Sequence, residues 1–180
     1  MGLDAHVLVV GGQRSGKSRF AERLVIGSGL APVYIATAEP GDEEMAARIA
    51  IHRDRRAGAW RTLETPRLLA DAISGAAVAG NAVLVDCLTL WLANLMAADG
   101  DIGGETETLI AALAAATGPV VLVSNEVGAG IVPDNALARA YSDAHGILNQ
   151  RLAAAVGRVV LVAAGLPLLL KPSRQGPITL

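Results

Sequence analysis

One cysteine, Cys87, stands in the 180 residues. A lone thiol excludes an intrachain disulfide and suits a reducing compartment, so a cytoplasmic location is expected. Aromatic residues make up only 3%, and a chain so poor in rings offers no stacking platform for single-stranded nucleic acid. No Lys or Arg occurs between Arg67 and Arg139, and the net charge is −2; no nucleic-acid partner is expected. The longest apolar run, residues 159–170, is shorter than a bilayer requires and is broken by Gly165 and Pro167, so no membrane span is expected. Nor is a secretory leader expected ahead of a glycine-rich motif that begins so near the N-terminus. What the chain has in plenty is aliphatic. Hydrophobic residues reach 52%, as an α/β protein with its sheet covered on both faces needs. The length implies a single domain over residues 1–180.

The densest chemical information lies at residues 7–18, VLVVGGQRSGKS. Four apolar residues, mostly β-branched, run into glycines as a buried parallel strand runs into a turn. Gly11, four residues, then Gly16, Lys17 and Ser18 match the phosphate-binding loop without departure. Gly11 and Gly16 are expected to supply positive φ and close backbone approach. The amides of Gly11, Gly12, Gln13, Arg14, Ser15, Gly16, Lys17 and Ser18 then converge on one anion site. Lys17 can reach the β- and γ-phosphates, and the Ser18 hydroxyl can ligate Mg²⁺. The required helix follows, with Phe20, Ala21, Leu24 and Val25 at helical spacing. A nucleoside triphosphate, GTP or ATP, is the expected ligand.

Further along, residues 33–36 read as a strand, and Ala36, Thr37 and Ala38 lie at or just past its carboxyl end. In a parallel sheet that position faces the ligand crevice, although an ordinary strand-to-helix connection reads the same. Asp42 can cap a helix over 43–56 whose early acids and late bases agree with the helix dipole. His52 shares a face there with Met45 and Ile49, among Arg48, Arg55 and Arg56. Spacing alone allows two readings: a half-buried histidine on an amphipathic helix, or an imidazole set among guanidiniums where a phosphate chain is attacked. Residues 60–63 form an expected edge strand followed by Glu64, and Thr65-Pro66 reads as a helix start. Residues 82–86 are an apolar strand ending in Asp86, either a partner for the nucleotide's Mg²⁺ or a cap on the helix expected over 88–96. Asp101–Gly104 reads as a turn before a helix over 105–116. A strand over 119–124 leads into Asn125-Glu126 and a glycine-rich loop, and there Glu126 competes with Asp86 for the metal role. No guanine-specific N-K-x-D motif occurs, which weakens a regulatory GTPase reading. A long helix from Pro133 or Asp134 to about 156 places Leu137, Tyr141, Leu148 and Leu152 on its apolar side, with His145 structural. A strand over 158–163 and a short one near 165–171 close the chain.

Together these segments resemble the bifunctional adenosylcobinamide kinase / adenosylcobinamide-phosphate guanylyltransferase family of cobalamin biosynthesis. The likeness covers nearly the whole chain, from GGQRSGKS through YIATA, DEEMAARIAIHRDRR, WRTLETP and VLVDCLTLWLANLM to VSNEVGAGIVPDNALARAYSDAHGILNQRLAAA and GLPLLLK. The resemblance implies a RecA-like phosphate-loop fold with a mainly parallel sheet flanked by helices. It implies phosphorylation of adenosylcobinamide by ATP or GTP. GMP then passes from GTP to adenosylcobinamide phosphate through a covalent intermediate on His52. It places nucleotide contacts at Gly11 to Ser18, Ala36 to Ala38, Arg53, Asp54, Arg55, Arg56, Glu64 and Asp86, with Mg²⁺ carried by the nucleotide, and implies a homo-oligomer, a trimer. Two other classes remain open on the residues alone: a small-molecule kinase with His52 structural, and a module that binds GTP without consuming it.

Overall fold

The computed structural model describes residues 2–39, 58 and 60–173. Among these, seven strands form one sheet in the order β3-β2-β4-β5-β1-β6-β7. They are β1 (Val7–Gly11), β2 (Ala31–Ala36), β3 (Arg61–Glu64), β4 (Asn81–Asp86), β5 (Val120–Asn125), β6 (Arg158–Ala163) and β7 (Leu166–Lys171). Every neighbouring pair is parallel except β6 and β7, which form an antiparallel hairpin. The helices are α1 (Lys17–Gly27), α2 (Leu69–Ala76), α3 (Leu88–Ala97), α4 (Ile102–Ala115) and α5 (Ala136–Ala155).

The two faces of the sheet explain the apolar runs. Successive strand residues point to opposite faces, and β1 is buried throughout. Val7 and Val9 pack with Ala21 and Val25 of α1, together with Tyr34, Leu84, Val121 and Val123. Leu8 and Val10 join the opposite core, against Ile73 of α2, Trp91 and Leu92 of α3, Leu113 of α4 and Leu148 of α5. A strand covered on both sides has no solvent face to mark with polar residues, so it reads as a continuous run.

Three boundaries differ from expectation. The helix expected at Thr65-Pro66 begins at Leu69, because α3 side chains take the carbonyls ahead of it. Asn94 Nδ2 donates to Pro66 O at 3.0 Å, and Trp91 Nε1 donates to Arg67 O at 2.8 Å. Asp101–Gly104 is no free turn: the Asp101 carboxylate accepts from Gly104 N at 3.1 Å and caps α4 three residues earlier than expected. Leu137 does not face the core but stays 73% exposed, since the first turn of α5 follows an exposed loop. Leu24 of α1 is likewise 37% exposed, whereas Ala21, Val25, Leu148 and Leu152 are buried as expected. The helix expected over 43–56 lies outside the described residues.

Strand order positions the site. β5 separates β1, which carries the phosphate loop, from β4, which ends in Asp86. The carboxyl ends of all three open on the same edge, where parallel α/β sheets bind ligands.

Candidate active site

Gly16, the residue before α1, takes φ 94°, a conformation glycine adopts without strain. Gly11 is glycine for another reason. Its φ is not positive, but a Cβ there would run into the Val162 carbonyl and the Ser15 hydroxyl. The second left-handed residue of the loop is Arg14, at φ 56°. Ser15 N donates to Gly12 O at 3.2 Å, and Phe20 N to Gly16 O at 3.0 Å opens the helix ladder. The amides ahead of Phe20 therefore have no ladder partner and point out of the helix N-terminus. The turn between β6 and β7 braces the loop from the side, with Gly165 N donating to Ser15 O at 2.8 Å.

Lys17 Nζ donates to Gly12 O at 3.3 Å. Partial burial pushes its ammonium below the ordinary value, and the nearby Asp86 carboxylate offsets this in part. The Asp86 charge thus reaches the loop lysine. Asp86 in turn accepts a hydrogen bond from Tyr34 Oη at 3.0 Å. Glu64, Ala36 and Asp86 stand in one row across β3, β2 and β4, about 5 Å apart from strand to strand. Cys87 is buried, and its thiol is pushed up to about 11, chiefly by burial, so it stays protonated and inert.

Thr37 is fully buried. Its hydroxyl donates to Cys87 O at 2.7 Å and accepts from Cys87 N at 2.8 Å. Asn94 Nδ2 takes the Thr37 carbonyl at 2.8 Å. The hydroxyl thus ties the end of β2 to the residue after Asp86. Ala36 and Ala38 are half-buried at the crevice edge.

The end of β5 lies beside the loop, with Gly11 level with Asn125 and Glu126 N donating to Gly11 O at 3.0 Å. A buried polar network holds this end. Thr89 Oγ1 accepts from Asn125 N at 3.0 Å, Asn149 Nδ2 donates to Asn125 O at 3.1 Å, and Ser124 Oγ donates to Asn149 Oδ1 at 2.6 Å. His145 sits among them, its Nδ1 3.3 Å from Asn149 Nδ2 and its Nε2 3.2 Å from Thr89 Oγ1. An amide N–H beside Nδ1 makes that nitrogen the acceptor, so Nε2 carries the proton. Burial lowers the His145 pKa, with the Glu126 charge opposing. Sequence reading took His145 as structural and missed its partners. Asn94 was missed too, although an amide inside the apolar LTLWLANLM was a signal.

Of the residues expected at the site, Gly11 to Ser18, Ala36 to Ala38, Glu64 and Asp86 line this edge of the sheet. His52, Arg53, Asp54, Arg55 and Arg56 lie outside the described residues.

The chain matches the cobinamide kinase / cobinamide phosphate guanyltransferase family over residues 7–170. It belongs to this family. A bifunctional adenosylcobalamin biosynthesis protein from Pseudomonas aeruginosa is 52% identical over 166 residues, covering 91% of this chain and 96% of that protein. A similarly named protein from Salmonella typhimurium is 44% identical over 180 residues, covering 92% and 99%. Solved structures at low identity share the fold alone. A Pyrococcus horikoshii protein matches at TM-score 0.53 and 12% identity, covering 95% of this chain and 88% of that one. The P4 protein of bacteriophage phi6, in complex with ADP, matches at 0.51 and 17%, covering 96% and 57%. This member of the cobinamide kinase family therefore has the RecA-like phosphate-loop fold. Among its described residues, no helix is long and apolar enough to cross a membrane.

Proposed function

We propose that this chain carries out both transfers that name its family. First, the hydroxyl of the aminopropanol arm of adenosylcobinamide takes the γ-phosphate of ATP or GTP. Second, GMP is transferred from GTP to that phosphate, giving adenosylcobinamide-GDP and pyrophosphate. The observation that carries the kinase half is the phosphate loop itself: open amides at the α1 N-terminus, with Lys17 beside them inside the field of Asp86. Phosphoryl transfer needs positioning and charge stabilisation rather than covalent chemistry, and this loop supplies both.

The nucleotide site we propose comprises Gly11 to Ser18, Ala36 to Ala38, Arg53 to Arg56, Glu64 and Asp86. Thr37 contributes there by holding β2 to β4. Mg²⁺ arrives with the nucleotide. Among the described residues, no group of three or more His, Cys, Asp or Glu is arranged to hold a metal. The Ser18 hydroxyl and the Asp86 carboxylate supply two oxygens and leave the remaining positions to phosphates and water, which suits Mg²⁺. Held there with the nucleotide, Mg²⁺ would supply charge neutralisation at the transferring phosphate.

For the second step the proposed nucleophile is His52, supported by its place in R-I-A-I-H-R-D-R-R. Neutral imidazole attacks the α-phosphorus of GTP, and pyrophosphate leaves. A phosphate oxygen of adenosylcobinamide phosphate then attacks the same phosphorus and releases the imidazole. Arg53, Arg55 and Arg56 neutralise charge on the phosphates. The proposal extends to a single domain over 1–180, to a cytoplasmic location, and to a homo-oligomer, a trimer on the resemblance. Exposed leucines along the edge strand β7, Leu166 at 73% among them, support self-association.

Incubation with α-labelled GTP and Mg²⁺ followed by denaturing electrophoresis tests this reading. Label should stay on the protein, survive alkali and leave in mild acid, as a phosphoramidate does. His52→Ala should abolish the adduct and guanylyl transfer while sparing cobinamide phosphorylation. An adduct that persists in His52→Ala would place the nucleophile elsewhere.

A further inference from the structure

A groove of about 610 Å³ lies between the 127–133 loop and one side of α5. The nucleotide site proposed above does not use this loop. The volume falls within the range of small-molecule sites. Gly128, Gly130 and Gly146 leave it open, Ile131 and Ile147 give it apolar walls, and Ser142 and Gln150 add polar edges. Ile131 is 98% exposed and Val132 75%. Aliphatic side chains so completely bare, side by side, mark a surface that something covers. The presentation is held in place: Arg139 Nη1 donates to Pro133 O at 2.9 Å and to Asp134 O at 2.8 Å.

Two connections join the groove to the transfer site. Val127 follows Glu126, whose amide is bonded to Gly11 O and whose Oε1 accepts from Gly128 N at 2.9 Å. On the α5 side, Gly146 and Gln150 directly follow His145 and Asn149, which hold the end of β5. An occupant of the groove is thereby registered against the phosphate loop by rigid elements.

Resting on the proposed activity, we infer that this groove holds the corrin macrocycle of the phosphoryl acceptor, with its aminopropanol arm directed past Glu126 to the loop. The chemistry fits this occupant. A corrinoid offers broad apolar faces for Ile131, Val132 and Ile147, and a rim of amides for Ser142 and Gln150. Its cobalt-centred ring bears net positive charge. Here the Arg139 guanidinium is engaged by carbonyls, while Asp143 lines the groove and Glu126 adjoins it. A second nucleotide, with its polyphosphate, would meet the Asp143 and Glu126 carboxylates against one guanidinium already bonded to two carbonyls.

Gly146→Phe tests this. A Cβ at Gly146 meets nothing within 4 Å, so the substitution fills the groove without displacing the helix. Adenosylcobinamide binding is read by equilibrium dialysis and corrin absorbance with GTP present, nucleotide binding separately, and assembly state by sedimentation velocity. Gly146→Phe should weaken corrinoid binding at least about tenfold and leave nucleotide affinity unchanged. Ile131→Ser, at a fully exposed position, should weaken corrinoid binding in the same sense without any risk to folding. Unaltered corrinoid binding in both variants overturns the inference while leaving the activity standing. The same result with a changed sedimentation coefficient assigns the groove to a second copy of the chain and also overturns it. Wild-type protein that neither binds nor phosphorylates adenosylcobinamide overturns the activity and this inference together.

Discussion

Thr37→Val separates a structural hydroxyl from a ligand-binding one. The substitution keeps the shape of the side chain, so no cavity forms and only the hydrogen bonds are lost. Thr37 Oγ1 donates to Cys87 O at 2.7 Å and accepts from Cys87 N at 2.8 Å, all in a buried setting. Cys87 O keeps the Trp91 N–H at 3.2 Å, so only Cys87 N is stranded, at about 1–3 kcal/mol, and the other lost hydrogen bond is worth about 0.5–1.5 kcal/mol, a total of about 1.5–4.5 kcal/mol. With a urea m-value of roughly 2 kcal/mol per molar, the unfolding midpoint should fall by roughly 1–2 M. Thr37→Ser keeps the hydroxyl and should cost only about 1 kcal/mol for its missing methyl. The assay is urea unfolding followed by circular dichroism at one fixed protein concentration, because self-association shifts apparent stability. Thr37→Val within about 0.5 kcal/mol of wild type, together with weakened nucleotide binding, would refute the reasoning and return the hydroxyl to the ligand.

Lys17→Ala should remove transition-state charge stabilisation worth several kcal/mol while the protein stays folded; near-normal cobinamide phosphorylation by the variant would sink the phosphate-loop assignment. Asp86→Asn should weaken Mg²⁺-dependent nucleotide binding more than Glu126→Gln does, and a Mg²⁺ titration giving the reverse order would move the metal-side acid to β5. Stability should fall with acid through two buried histidines. Burial lowers His6, whose Nε2 donates to Leu113 O at 2.8 Å and whose Nδ1 accepts from Val120 N at 3.1 Å. Burial lowers His145 in the same way. Both are favoured neutral in the fold, so the unfolded chain binds the extra protons. Their contribution is complete above the ordinary value of 6.5 and is lost as pH falls from 6.5 toward the lowered folded values. A denaturant midpoint flat from pH 7.5 to pH 5 would contradict this.

The parts legible in the sequence are those where local chemistry and fold agree. Apolar β-branched runs marked β1, β4, β5 and β6 because alternate residues of those strands are buried on opposite faces of the sheet. The phosphate loop was legible because glycine spacing, lysine and serine carry the whole mechanism. At Thr37 a strand-end position says which edge the residue occupies but not what its hydroxyl bonds; Cys87, distant in sequence, decides that. Gly11 was assigned the wrong reason, since what excludes a side chain is Val162 on β6, a tertiary neighbour. Leu137 fits the helical period of α5, yet period cannot tell where the core stops. The network of Thr89, Ser124, Asn149 and His145 draws on three separate elements, and no single segment reveals it.

The strand order gives that network its meaning. Because β5 lies between β1 and β4, whatever ends β5 is held between the phosphate loop and Asp86. Asn125 and Glu126 occupy that place. A loop end beside a phosphate site would ordinarily be free to shift, and small displacements there are costly to transfer chemistry. Here both backbone groups of Asn125 are bonded to side chains, one from α3 and one from α5. The Glu126 amide is bonded to the phosphate loop itself. The polar groups buried at this end of the core therefore do more than satisfy one another. They set the position of Glu126, and with it the start of the 127–133 loop, relative to Lys17. A proton added to His145 would disturb the same contacts, since Nδ1 would lose its acceptor role toward Asn149. Acid should consequently loosen the end of β5 before it reaches the apolar core on either face of the sheet.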